Sequence, residues 1–338
     1  MKGYRRASAV IIGMVFLLAG ILKLMDPVGT GLIVREYFSF FHAGFMNFSS
    51  GVLAFLLALV ESVVGISLIT GVKRSLSAIA SAVLLGLFTI VTLILWIVNP
   101  SMDCGCFGEA INLTHAQSFL KNVILCVLWV VAFVPFTDYG EPKKIKNATF
   151  ALGCISVLAF GIFELYSLPL VDYTPMAPGA ELFNPDEYDL PDAPVLSFSD
   201  ENYEYRDSLA LAENVMVISV YDEHSMSGKE WVAVGEFMLE AESVGYSTLL
   251  LVSAEASDGR FFADPRTLMT LNRSNGGVTL ISDGQIIRKW ACNSLPSEDL
   301  LKEIITSDST EVMIESSSKG TLKLQGFLLY VFAVILLI

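Results

Sequence analysis

The sequence predicts a polytopic α-helical membrane protein with an acidic α/β domain outside the bilayer. Of its 338 residues, 54% are hydrophobic and only 17% are charged, and the mean hydropathy is +0.61. Such a chain is too apolar for an ordinary soluble protein. The charge is also unevenly distributed, since residues 172–320 contain 27 Asp and Glu against 9 Lys and Arg, whereas the rest contains 8 against 12. A strongly acidic surface argues against nucleic acid as a partner.

Five apolar runs are long enough to cross a bilayer, which requires about 20 helical residues. They cover residues 7–25, 51–71, 75–98, 119–135 and 148–168. The first run resembles a signal peptide, but it lacks a well-formed cleavage site, so we expect it to be retained. A sixth run, 324–338, has only 15 residues and is a candidate C-terminal transmembrane helix.

Basic residues predict how the bundle is oriented. If the five helices alternate in direction, one side receives most of the Lys and Arg residues near the helix ends, and the positive-inside rule makes that side cytoplasmic. These residues are Lys2, Arg5, Arg6, Lys73, Arg74, Lys143, Lys144 and Lys146. The N-terminus is then cytoplasmic, and both the 99–118 loop and the chain beyond residue 168 lie on the opposite side.

The acidic part follows an α/β order. Residues 169–200 are rich in proline and predict an extended linker. Short β-branched or aliphatic runs then predict strands, a helical pattern follows the first of them, and a hairpin turns at Asp283-Gly284. The strands cover 214–220 and 247–252, the helix covers 229–243, and the hairpin covers 277–290.

This order resembles a thioredoxin-like domain over residues 210–306. Two positions depart from that family. His224-Ser225-Met226-Ser227 stands where the dithiol would be, and Gly277 stands at the position of the family's cis-proline. We therefore expect no dithiol exchange within this domain. Its single thiol, Cys292, is either structural, which we favour, or a partner in a mixed disulfide.

A Cys-Gly-Cys loop follows the third apolar run, in the segment Asn99-Pro-Ser-Met-Asp-Cys-Gly-Cys-Phe-Gly-Glu109. Pro100 ends the helix and Gly105 permits a tight bend, so the sulfurs of Cys104 and Cys106 can meet. A disulfide across one residue closes a small strained ring, which is easier to reduce and so a better oxidant. Nearby carboxylates disfavour a thiolate here, whereas the start of the next helix favours one.

Two further residues are candidates for moving protons. His115 follows a capping-box pattern and should lie in the first turn of the next helix, near the cysteines, where it is either a proton relay or an ordinary interfacial histidine. Glu61 lies in the middle of a membrane helix, where a carboxylate is costly and is either functional or a hydrogen-bonded bundle residue. Lys23 is expected to extend its ammonium group towards the membrane surface. The loop supplies too few ligands for zinc, and we predict no metal.

Three motifs together resemble the DoxX-like and MauE (methylamine-utilisation) membrane proteins over residues 5–137. They are Gly20-Ile-Leu-Lys-Leu-Met-Asp-Pro27, Glu61 before Gly65, and Asp103-Cys-Gly-Cys-Phe-Gly108. The whole arrangement is similar to Bacteroidetes DoxX-family proteins with a C-terminal thioredoxin-like domain. The resemblance implies a four-helix core in a bacterial inner membrane. It also implies either maturation of a disulfide-rich periplasmic protein or quinone-linked sulfur chemistry.

The predicted organisation has five parts. A four-helix membrane domain covers 1–146, a fifth transmembrane helix 147–168, the linker 169–200, a periplasmic thioredoxin-like domain 201–320, and the candidate sixth helix 321–338. The leading hypothesis is a thiol-disulfide oxidoreductase or maturation factor in which Cys104 and Cys106 exchange with a periplasmic client and pass electrons to a quinone. The alternative is a non-catalytic envelope scaffold whose degenerate thioredoxin-like domain binds a partner. A transporter is a third reading, supported only by Glu61.

Overall fold

The computed structural model describes residues 2–135, 144–183, 194–256 and 259–336. Lys143 and the middle of the predicted linker, 184–193, lie outside the described residues. The chain divides into two compact units. One contains Met1–Glu164 and Gln325–Ile338, and the other contains Leu165–Leu324.

The first unit is a helical bundle. Its helices are α1 (Lys2–Met25), α2 (Pro27–Phe40), α3 (Ser50–Thr70), α4 (Arg74–Val98), α5 (His115–Phe133) and α6 (Lys144–Tyr166), and a short strand, β1 (Cys106–Glu109), lies between α4 and α5. Within the described ranges, five helices are long and apolar enough to cross a membrane: α1, α3 with the 3-10 turn before it, α4, α5 and α6. The five predicted apolar runs are therefore confirmed as helices of a membrane domain.

Helix α2 was not predicted. It begins directly after α1, with Pro27 at its first position, where a missing amide hydrogen costs nothing. The carboxylate of Asp26 caps it by accepting a hydrogen bond from the Gly29 amide at 2.8 Å. At 14 residues it is too short to span a bilayer.

Helices α1 and α3 cross at very short distance because small residues line their contact. A Cβ atom on Gly13 would lie 2.8 Å from the carbonyl oxygen of Gly65, and one on Gly65 would lie 2.6 Å from the Leu17 amide nitrogen. Further along, a Cβ on Gly20 would lie 2.7 Å from the Ala58 carbonyl oxygen. Such small-residue contacts let helix backbones touch within a membrane bundle. Side chains that extend from this crossing are consequently brought close together.

Arginine side chains close one end of the bundle by hydrogen bonding to helix C-terminal carbonyls. Arg6 donates to the Leu68 carbonyl at 2.8 Å, while Arg5 and Arg74 both donate to the Ala132 carbonyl, at 3.3 and 3.1 Å. These bonds satisfy carbonyls that have no partner within the helix. Arg5, Arg6 and Arg74, which are among the basic residues that predicted the orientation, therefore lie at one end of the bundle. The loop between α4 and α5 lies at the opposite end.

The second unit is built on a six-stranded mixed sheet of order β2-β5-β4-β3-β6-β7. Strand β3 is parallel to β4 and antiparallel to β6, and β6 and β7 form the predicted hairpin. The strands are β2 (Phe198–Ser199), β3 (Val215–Val220), β4 (Ser247–Val252), β5 (Arg260–Ala263), β6 (Gly277–Ser282) and β7 (Gln285–Trp290). The accompanying helices are α7 (Gly228–Val244), α8 (Pro265–Leu271), α9 (Glu298–Thr306) and α10 (Ser309–Leu336), of which α10 begins in this unit and ends in the first. The arrangement is compatible with a thioredoxin-like domain.

Both faces of this sheet are covered, so the central strand is apolar on both sides. Met216 and Ile218 of β3 belong to the core beneath α7 and α9, whereas Val215 and Val217 belong to the core on the opposite face. A strand buried on both faces reads as a continuous apolar run rather than an alternating one. This explains why the run was recognisable in the sequence.

The predicted linker is partly packed. Met176, Leu182 and Leu196 are buried in the core that contains β3, and Asp172 forms an ion pair with Lys289 at 2.6 Å. The described ends of the segment 169–200 therefore differ from an extended linker. Proline and acidic residues predicted its lack of regular structure, but its few apolar side chains are enough to hold it on the sheet.

Candidate functional site

An ion pair lies inside the helical bundle beside the α1–α3 crossing. The Lys23 ammonium nitrogen lies 2.8 and 2.7 Å from the two carboxylate oxygens of Glu61. Only 1% of Glu61 and 6% of Lys23 is exposed. The expectation that Lys23 reaches the membrane surface was wrong, because the close helix approach puts a carboxylate within reach of its ammonium group.

The Cys-Gly-Cys loop is folded against the helices by backbone constraints. Gly105 has a φ of +59°, which favours glycine. A Cβ there would also lie 2.5 Å from the Ile33 side chain of α2. The Tyr37 hydroxyl, also on α2, donates to the Cys104 carbonyl at 2.6 Å. Helix α2 therefore holds the loop at the end of the bundle.

The two thiols form one hydrogen-bonded group. Cys104 and Cys106 are both free, and their side chains hydrogen-bond to each other. The Cys104 sulfur also lies 2.7 Å from the Ser118 hydroxyl oxygen and accepts a hydrogen bond from the Cys106 amide at 3.4 Å. A hydroxyl and a thiol can each donate one hydrogen, so either group can be the donor in the contact between Ser118 and Cys104.

The start of α5 supplies the polar residues next to the thiols. Thr114 caps this helix in a reciprocal capping box with Gln117, as predicted from their spacing. Ser118, Lys121 and Asn122 follow on one face, as residues three and four apart do in a helix. The Lys121 ammonium group lies close enough to Cys106 to lower the pKa of its thiol. A fixed helix start thus places a hydroxyl beside one thiol and a cation beside the other.

Beside these residues is a cavity of about 260 Å³ within the helical unit. Its walls are mostly aromatic and aliphatic side chains of α1, α2, α3, α4 and α5. Its polar lining includes Lys23, Thr30, Tyr37, Glu61, Thr92, Cys104, Cys106, Lys121 and Asn122. An apolar cavity with a few convergent polar groups is the usual form of a small-molecule site.

The two thiols differ in acidity. The hydrogen bond from Cys104 and the nearby ammonium groups of Lys121 and Lys23 lower the pKa of Cys106 to about 5, against the opposing effect of burial. The same hydrogen bond, together with burial, raises the pKa of Cys104 well above its usual range. Burial and neighbouring anionic groups also raise the pKa of Tyr37, so its hydroxyl remains a donor. These opposite shifts favour a thiolate on Cys106 over one on Cys104.

The structure brings three of the four predicted site residues together. Cys104, Cys106 and Glu61 all line the cavity. The fourth, His115, is engaged elsewhere: its Nδ1 lies 3.2 Å from the Asn99 side-chain oxygen and its Nε2 lies 2.9 Å from the Met102 carbonyl oxygen. These contacts fasten the loop to the start of α5.

Four residues of the site were missed as functional candidates in the sequence. Lys23, Tyr37, Ser118 and Lys121 all contact a predicted site residue. The sequence could have indicated Lys23 and Lys121, because a lysine within a membrane helix is energetically costly unless it has a partner or polar surroundings. The serine and the tyrosine had none, since both are common in such segments.

In the second unit, hydrogen bonds close the segment in which the sequence resemblance places the family's dithiol. The Asn275 side-chain oxygen accepts from the Tyr221 and Asp222 amides, at 2.9 and 3.1 Å, and its nitrogen donates to the Ser225 hydroxyl at 3.0 Å. Cys292 is buried in the core, and burial raises the pKa of its thiol. These properties agree with a structural thiol.

A match to a known family covers part of the first unit. Residues 1–135 match the family model described as Methylamine utilisation protein MauE. No curated protein matches the chain, and no solved structure matches it.

Proposed function

We propose that this chain, whose residues 1–135 match the MauE family model, is a thiol-disulfide oxidoreductase or maturation factor. It acts from the bacterial inner membrane, with Cys104 and Cys106 on the periplasmic side. One observation carries the proposal: the two thiols lie side by side against a cavity in the bundle, and nearby ammonium groups lower the pKa of one of them. A low-pKa thiol beside cations is the usual form of a reactive cysteine.

In this function the oxidised pair takes two electrons from a client dithiol, and the reduced pair passes them to an acceptor in the membrane. A quinone fits the cavity on chemical grounds, because the walls suit a ring and Lys23, Lys121 and Asn122 are donors for its oxygens. When bound, a quinone supplies a two-electron acceptor that also takes up two protons. The chain's own residues hold the thiolate, exclude water and supply protons.

Glu61 and His115 are the proposed proton-handling residues. The position of Glu61 supports this role, since its carboxylate lines the same cavity as the thiols and is bonded to Lys23. His115 lies at the loop, bonded to the Met102 carbonyl. The thioredoxin-like domain, which lacks a dithiol, would bind the client protein without taking part in the chemistry.

A mass measurement tests the redox proposal. In a background with Cys126, Cys154 and Cys292 replaced by alanine, mild oxidation should make Cys104 and Cys106 resistant to alkylation, and a reductant should restore both. Peptide mapping by mass spectrometry locates the modified residues. If both thiols alkylate fully after oxidant treatment, the oxidoreductase proposal fails.

The second candidate is a non-catalytic envelope scaffold, and the closed dithiol position of the second unit favours it. Replacing Cys104 and Cys106 with serine separates the two functions. A scaffold keeps its envelope phenotype and loses about 2–4 kcal/mol of stability at most, the typical contribution of a disulfide. An oxidoreductase loses its phenotype even where the double variant is folded and present at normal levels.

A further inference from the structure

The charged side chains that line the cavity carry one net positive charge when they are ionised, and a thiolate on Cys106 would balance it. Helix α1 contributes Lys23, α3 contributes Glu61 and α5 contributes Lys121 to the cavity. The pair Lys23 and Glu61 is neutral by itself. Lys121 lines the same cavity as Cys106, and its positive charge acts on that thiol. Asp103 in the loop and Glu36 on α2 are the further acidic groups that act on Tyr37 beside the loop.

Lys121 therefore places a positive charge beside Cys106, a role that neither the sequence motifs nor the family assigns to it. Its nitrogen lies 4.7 Å from the ring centroid of Phe107, the residue after Cys106, which keeps the ammonium group at this end of the loop. The Cys104 sulfur instead lies 2.7 Å from the Ser118 hydroxyl oxygen. The two sulfurs are thus unequal in their ability to carry negative charge.

We propose that Lys121 is the positioning residue that fixes the direction of thiol exchange, so that the client attacks Cys104 and Cys106 leaves. This inference rests on the proposed function. In the first step a client thiolate attacks the Cys104 sulfur of the disulfide. A client–Cys104 bond forms, the Cys104–Cys106 bond breaks, and the electron pair remains on Cys106 beside Lys121. A thiol of lower pKa is the better leaving group.

The second step completes the electron balance. The client's other thiolate attacks the client sulfur of the mixed disulfide, which forms the client disulfide and releases Cys104. The Cys104 sulfur takes up one proton and becomes the thiol that donates to Cys106. Two electrons from the client now reside on the pair, and a quinone-class acceptor removes them with uptake of two protons.

The exposure of the two cysteines, taken alone, favours attack of the client on Cys106 instead of Cys104. Cys104 is 7% exposed, whereas Cys106 is partly exposed. A client that reacted with the more accessible sulfur would attack Cys106 and expel Cys104, although it is Cys106 on which Lys121 and Lys23 act. The hydrogen bond from Cys104 to Cys106 is absent while Cys104 is in a disulfide, so the lysines must stabilise the leaving group. The direction of attack therefore reports on the lysines beside Cys106, and a variant of Lys121 separates its part.

The decisive experiment uses the oxidised full-length chain in detergent and glutathione as the probe. After addition of one equivalent of glutathione, acid quenching and peptide mapping should find glutathione on Cys104 and a free Cys106. Glutathione mainly on Cys106 overturns the inference while leaving the redox function intact. An absence of any disulfide to react contradicts the proposed function itself, so the two failures are distinguishable.

A second measurement tests Lys121 without relying on the direction of attack. In the reduced chain, the pH profile of Cys106 alkylation gives its apparent pKa. Lys121→Met should raise this value by about 1–3 units, the effect of removing a nearby opposite charge. Lys121→Arg should restore it, and Lys302→Met, which removes an exposed lysine of the second unit, should leave it unchanged. An unshifted profile in folded Lys121→Met overturns the inference.

Discussion

Removing one partner of the buried Lys23–Glu61 pair should destabilise the bundle far more than removing both. In Lys23→Met, the Glu61 carboxylate, of which 1% is exposed, loses both of its 2.7–2.8 Å contacts. Breaking a buried pair in this way costs about 3–5 kcal/mol, or roughly 6–20 °C in melting temperature for a unit of this size. The double variant Lys23→Met, Glu61→Leu leaves no buried charge. It should therefore recover most of that loss.

Thermal unfolding in detergent, followed by far-ultraviolet circular dichroism, measures these differences in a double-mutant cycle. The exposed pair Lys302 and Glu298 is the matched control, because an exposed helical pair contributes only about 0.3–0.5 kcal/mol. If the losses in the single Lys23 and Glu61 variants simply add in the double variant, the two residues are not energetically coupled. The argument from the ion pair is then refuted.

Three further predictions concern packing, the thiol pair and the second unit. Gly65→Leu should disrupt the α1–α3 crossing and abolish folding or lower the melting temperature strongly, whereas Gly86→Leu, at a site with open space around it, should be tolerated in the same melting assay. Ser118→Ala should slow alkylation of Cys104 at a fixed alkaline pH, because the Ser118 hydrogen bond lowers the pKa of that thiol and its loss raises it further. Burial acts to raise the pKa of Asp172, but its ion pair with Lys289 lowers that pKa overall. The ion pair therefore stabilises the folded chain fully at pH values above the pKa of an unfolded aspartate, about 3.9. This stabilisation is lost as the pH falls through the lower pKa of Asp172 in the folded chain. Urea unfolding of the full chain should then show Asp172→Asn to be less stable at neutral pH, with a difference that shrinks in acid.

The membrane helices were predictable because span length and apolarity are properties of local sequence. Strand β4 was predicted to the residue, and β3 and α7 to within one residue at each end. Helix α2 was not predictable in this way, because Pro27, Gly29 and Gly31 weaken its helical pattern. Its stability comes from packing against α3, where Gly31 lies close to Gly51.

The sequence predicted Cys104, Cys106 and Glu61 as residues of the site, but not which side chains contact each other. Two cysteines separated by one residue, and a glutamate in a membrane helix, are conspicuous wherever they occur. Which side chain meets Glu61 depends on how closely α1 and α3 approach and on their relative rotation, and neither is encoded by a local pattern. The same holds for Lys121, whose nearness to Cys106 follows from where the capping box begins α5.

The charges of the cavity link the redox state of the two thiols to the binding of an anion. Lys23 and Lys121 carry two positive charges, and Glu61 with the Cys106 thiolate carries two negative ones. Forming the disulfide removes the thiolate charge and would leave one net positive charge in a poorly solvated place, which is costly. The oxidised site is therefore expected to attract an anion, and a client thiolate is one. Its attack on the disulfide places that negative charge beside Lys121, so the same electrostatics that draw the client in also stabilise the product of the first step.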